Sequence, residues 1–127
     1  MPKLAMQPLP QTDPLAEQIS SKQALDFARN HAVESWFYEH VVHQRTLKDR
    51  LDRNEPLKDK EADRFERLTL LLDRARESFR DEAKALSWLK SPKHAFAGAT
   101  PLEHSARESG FIAVLDQLLR IEHGIHA

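Results

Sequence analysis

The side chains in this sequence best suited to chemistry are seven histidines and a basic run holding Arg45, Lys48, Arg50 and Arg53. Imidazole binds metals and carries protons near neutral pH. A metal centre needs three or four converging donors, yet among the histidines only His40 with His43 and His123 with His126 stand at a helical spacing. Neither pair has a third ligand close by in sequence, so no metal is expected, and exposed or hydrogen-bonded imidazoles are the simpler reading. Nucleophilic catalysis fares no better. There is no cysteine, and no serine sits in a nucleophile elbow, beside a spaced carboxylate motif or in a phosphate-cradling loop. The residues therefore predict a non-enzyme without a cofactor, and no catalytic residue is assigned.

The basic run suggests other chemistry. From Gln44 to Asn54 a short polar helix is expected, with Leu47 and Leu51 pointing inward and Gln44, Arg45, Lys48, Asp49 and Asp52 pointing out. Behind the aromatic stretch Trp36-Phe37, such a helix fits the recognition helix of a helix-turn-helix. Gln44, Arg45, Thr46, Lys48, Arg50 and Arg53 would reach base edges and phosphates from it. The charge bias is modest: between His40 and Lys60 six Lys/Arg face four Asp/Glu, and Asp49 and Asp52 would oppose phosphate. A solvated amphipathic helix is the alternative.

The elements that position these residues read as helical throughout. Ser20 or Ser21 caps a helix carrying Ala24, Leu25 and Ala28; a second stretch holds Val33, Trp36, Phe37 and Val41; Pro56 then breaks the chain. A long helix from about Asp59 to Phe79 bears an apolar stripe of Phe65, Leu68, Leu71, Leu72, Ala75 and Phe79. Asp81 caps the next, which ends at Ser91-Pro92, and Thr100-Pro101-Leu102-Glu103 combines a cap, a proline at the first position and an acid at the third. Gly110 is expected to end that short helix in a left-handed conformation, with the last helix running from Phe111 to about His123. Its apolar positions, Phe111, Ile112, Val114, Leu115, Leu118, Leu119, Ile121 and Ile125, cover more than one stripe. The second side serves either a partner or further neighbours in the same chain.

Composition sets the bounds. With 127 residues the chain suits one domain or two small ones, and its net charge of −1 argues against a general nucleic-acid coat. Its three glycines, Gly98, Gly110 and Gly124, all lie in the last 30 residues, which leaves no glycine for a nucleotide-binding loop in the first 97. Pro2, Pro8, Pro10 and Pro14 suggest a flexible arm over residues 1–19. No apolar run is long enough for a membrane span and no export signal is evident, so a cytoplasmic address and no membrane partner are expected.

A family resemblance rests on particular residues. Trp88-Leu89-Lys90-Ser91-Pro92, Gly98, Thr100-Pro101-Leu102, Gly110, Val114, Leu118 and Arg120-Ile121-Glu122-His123-Gly124 occur in an order that resembles the C-terminal toxin-binding domain of Xre/MbcA/ParS-type antitoxins. Arg45-Thr46-Leu47 with Arg50, Leu57 and the long helix is similar to that family's Xre-like helical region. The resemblance implies an all-α protein: a helix-turn-helix-like or dimerising region over 20–80 and a helical toxin-binding domain over 81–127. It implies an antitoxin that neutralises a RES-domain, NAD-consuming toxin by covering its active site, as a homodimer within a hetero-oligomeric complex that represses its own operator DNA. Carried onto this chain, Arg120, Ile121, His123, Gly124, Ile125 and His126 are the toxin-contacting candidates, and Trp88, Leu89, Pro101, Leu102 and Gly110 the scaffold. The alternative is a stand-alone helix-turn-helix regulator whose C-terminal helices dimerise.

Overall fold

The computed structural model describes residues 18–124 and is helical among them: α1 (Ser21–Asn30), α2 (Glu34–His40), α3 (Gln44–Arg53), α4 (Asp59–Phe79), α5 (Glu82–Leu89), a 3₁₀ turn (His94–Phe96), α6 (Pro101–His104) and α7 (Glu108–Glu122). The Pro-rich arm expected over 1–19 lies outside the described residues except for its last two. Two compact units divide between Ala62 and Asp63, inside α4. The fold is all-α, as the helix-forming composition implied; the sole strand-like pairing among the described residues is an isolated bridge between Ser20 and Pro56.

In the first unit the capping chemistry follows from the sequence. Ser20 caps α1 by accepting from the Gln23 N–H at 3.2 Å. The same segment is tied to the α3–α4 connection, since the Leu57 N–H donates to the Ile19 carbonyl at 2.9 Å and Ser21 Oγ to that of Glu55 at 2.6 Å. Ala24, Leu25, Ala28, Val33, Trp36, Phe37, Val41, Val42, Leu47 and Leu57 form the apolar interior. The α1–α2 corner is held by Glu34, which accepts from Tyr38 Oη at 2.7 Å and Arg29 Nε at 3.1 Å. These two hydrogen bonds, Tyr38's first, hold the Glu34 carboxyl below its ordinary pKa.

In the second unit Phe65, Leu68, Leu71, Leu72 and Ala75 of α4 are buried, as are Ala85, Leu89, Phe96, Leu102, Phe111, Val114 and Leu118. Asp81 caps α5 by accepting from the Lys84 N–H at 3.0 Å. Thr100 and Glu103 form a reciprocal capping box at the start of α6, each side chain accepting from the other's backbone N–H.

Gly110 differs from expectation. It does not close α6 in a left-handed conformation; the positive-φ glycines are Gly98 and Gly124, and Gly110 lies in the first turn of α7. The reason is close approach: a Cβ at Gly110 would stand 1.8 Å from the His104 carbonyl oxygen at the end of α6. Four non-glycine residues instead take left-handed conformations, with φ near 55–58°: Ala32, Asn54, Arg80 and Ala97. The glycine-poor sequence thus still makes left-handed turns, and for the residues other than Asn54 each costs roughly 1–2 kcal/mol.

Candidate functional site

Two surfaces gather the candidate residues. On α3, Gln44, Arg45, Thr46, Lys48 and Arg53 are exposed and Leu47 is buried. The turn linking α2 to α3 is three residues long, Val41 and Val42 being buried and His43 capping α3. A turn of this length is compatible with a helix-turn-helix.

Arg50 is the correction on this surface. Its side chain is 8% exposed and paired with Glu61 in the first turn of α4, so it points inward while Leu51 is half-exposed. Glu61 Oε1 accepts from Arg50 and also from the Lys58 N–H at 2.8 Å. Burial alone would raise the Glu61 pKa, but the Arg50 hydrogen bond, the Lys58 N–H and the neighbouring cations outweigh it and hold the carboxyl below its ordinary value. The physical reason is a donor–acceptor match: a buried guanidinium is tolerable only beside a hydrogen-bonded carboxylate. With Arg50 so engaged, the outer face of α3 carries three exposed cations, Arg45, Lys48 and Arg53, against two exposed carboxylates, Asp49 and Asp52.

The second surface is the end of α7. Phe111, Val114 and Leu118 turn one face into the core, whereas Ile112 and Leu119 are 59% and 42% exposed on another. Of the two readings of this double-sided helix, the described residues match an uncovered second face. Arg120 is exposed and reaches Asp116 at 3.2 Å, an exposed i,i+4 pair that yields readily to a stronger partner. Ile121 is half-exposed, and His123 and Gly124 are exposed where the helix stops, Gly124 with φ +75°. Ile125 and His126 lie outside the described residues.

The residues assigned to the scaffold lie together in the second unit. Leu89, Pro101, Leu102 and Gly110 are buried, and half-buried Trp88 packs against Phe79 with ring centroids 5.8 Å apart and takes Lys93 Nζ at 5.5 Å from its ring. Phe96 stacks on His104 at 4.4 Å, a pairing that sequence inspection missed because the two residues lie in separate short elements. Among the described residues the histidines do not converge. His40 ends α2 and His43 caps α3, and among the described residues no three of His, Asp and Glu group as a metal site. No helix among them is long and apolar enough to cross a membrane.

The described surfaces thus offer exposed apolar, cationic and imidazole side chains. Residues 74–124 match the model for the antitoxin Xre/MbcA/ParS C-terminal toxin-binding domain, and this part of the chain is a domain of that family. It is similar to Antitoxin Xre of Pseudomonas putida, 36% identical over 84 residues that make up 66% of this chain and 53% of that protein. The chain thus spans about half the length of this curated relative.

Proposed function

We propose that this chain is the antitoxin of a toxin–antitoxin pair, that its partner is a RES-domain enzyme that consumes NAD, and that the end of α7 closes that enzyme's nucleotide cleft. The match of residues 74–124 to a toxin-binding domain carries the reading. The chemistry at the helix end supports it: a guanidinium at Arg120 and an imidazole at His123, both exposed, suit a cleft built for anionic phosphates. Occlusion requires no catalysis from this chain. The pair would act in the cytoplasm, on the NAD found there. Co-expression with a RES-domain protein encoded beside it should restore growth and yield a copurified complex in which NAD consumption has stopped. A complex that still consumes NAD at the free enzyme's rate would overturn occlusion.

Residues 20–80 serve, in this reading, to dimerise the antitoxin and to bring α3 to operator DNA, with residues 81–127 as the toxin-binding part. Support comes from the three-residue α2–α3 turn and from the exposed Arg45, Lys48 and Arg53. Replacing these three by alanine should weaken promoter binding by about tenfold or more and flatten its salt dependence, as phosphate contacts do. Gel shifts at several salt concentrations check this, and unchanged affinity in the triple variant would exclude α3 as the reading helix.

A further inference from the structure

The three large apolar residues exposed among those described are Leu70, Ile112 and Leu119, all in the second unit and all on α4 or α7. Within that unit the two helices run side by side. Residues 63–70 flank the start of α7, and further along Ser78 Oγ donates to the Leu118 carbonyl at 3.2 Å. Between the second and third turns of α4 and the first turn of α7 lies an open groove of about 580 Å³ with Leu70 and Ile112 on its walls. Leu119 continues the strip two helical turns beyond Ile112 on the same face of α7. The groove carries three exposed carboxylates, Asp63, Glu66 and Glu108, against one cation, Arg67.

We propose that this groove is a docking site for an amphipathic helix of another protein, one with aliphatic residues on one face and Lys or Arg beside them. A trough between two helices with apolar residues at helical spacing matches the helix-in-groove mode of recognition, in which aliphatic anchors give affinity. The carboxylates select the sign of the partner's flanks, because opposite charges at the edge of an apolar contact fix register and reject wrong partners. They also decide against nucleic acid and anionic lipid, whose phosphates they repel. A second copy of this chain is disfavoured on the same ground, since a two-fold contact through this face would set acidic groove against acidic groove. The groove opens at the start of α7, reaches the end of that helix only through Leu119, and does not rest on the antitoxin reading.

The probe is a fluorescein-labelled helix of about 18 residues, with leucines at i, i+3, i+4 and i+7 and lysines flanking them, titrated with the full chain and read by anisotropy. A second peptide has glutamates in place of the lysines. Binding of the lysine peptide is expected, about tenfold or more tighter than that of the glutamate peptide, and weakened about tenfold by Ile112→Asp and by Glu66→Lys. Both positions are exposed, so the variants should melt as the parent does. The proposal is overturned if the lysine peptide does not bind, if the two peptides bind alike, or if neither substitution matters. Sedimentation of the parent as a dimer that Ile112→Asp splits would also overturn it, by showing that a second copy fills the groove.

Discussion

Replacing Gly110 by alanine is expected to destabilise the second unit by about 3 kcal/mol, lowering its melting temperature by roughly 12–24 °C. Helix propensity argues the other way, since alanine inside a helix is ordinarily better than glycine by about 1 kcal/mol. Geometry decides the sign: the added Cβ would meet the His104 carbonyl oxygen at 1.8 Å and its carbon at 2.9 Å, and backbone cannot swing aside as a side chain can. Relief requires α6 and α7 to move apart, which would disturb buried Leu102 and Phe111 and the Phe96–His104 stack. Gly98→Ala is the control. Gly98 has φ +90°, but a Cβ there would have nothing within 4 Å, so only the backbone strain of roughly 1–2 kcal/mol applies. Thermal melts of the two variants should differ clearly, and equal losses would contradict close approach as the reason for Gly110.

The second large effect concerns Arg50 and Glu61. Arg50→Ala would leave the Glu61 carboxylate largely buried without its main partner, at a cost of about 2–4 kcal/mol, below the full range for breaking a deeply buried pair because Glu61 is still 16% exposed. The pair also has a pH signature. Because the folded-state pKa of Glu61 is held below its unfolded value of about 4.3, its contribution is fully present above that pH and is lost as pH falls through the depressed folded value. Urea unfolding should therefore show the parent more stable than Glu61→Gln at pH 7, with the gap closing on acidification. A gap that persists unchanged at pH 3 would mean that charge at Glu61 contributes nothing. The same pair separates roles on α3: Arg50→Ala acts through stability, whereas substitutions at Arg45, Lys48 and Arg53 act on exposed side chains.

Helix existence was legible in the sequence wherever composition, caps and period agreed. Ser20, Asp81 and Thr100 cap the helices that their types and positions implied, and the α4 stripe from Phe65 to Ala75 is buried as its spacing required. Sequence failed where two elements meet. Period places Leu51 inward and the basic run offers Arg50 to DNA, because the acceptor that makes a buried arginine acceptable, Glu61, belongs to another helix 11 residues away. Gly110 looked like a helix terminator because a glycine needed for left-handed backbone and one needed for close approach look the same in sequence. Conversely, the left-handed turns at Ala32, Arg80 and Ala97 carried no signal, since none of them uses glycine. For the binding surfaces, the two-sided character of α7 was visible, but its meaning depended on which side the fold left open. Ile112 and Leu119 gave that answer in three dimensions.

Whether the end of α7 blocks a nucleotide cleft can be read from the rate of NAD consumption by the purified RES-domain partner, titrated with the full chain and with a chain ending at Arg120. The full chain should stop NAD loss near stoichiometric addition. The shortened chain, still melting cooperatively, should need at least about tenfold more protein for the same effect. Equal inhibition by both chains would contradict the proposed occlusion, placing the blocking contact elsewhere on the protein.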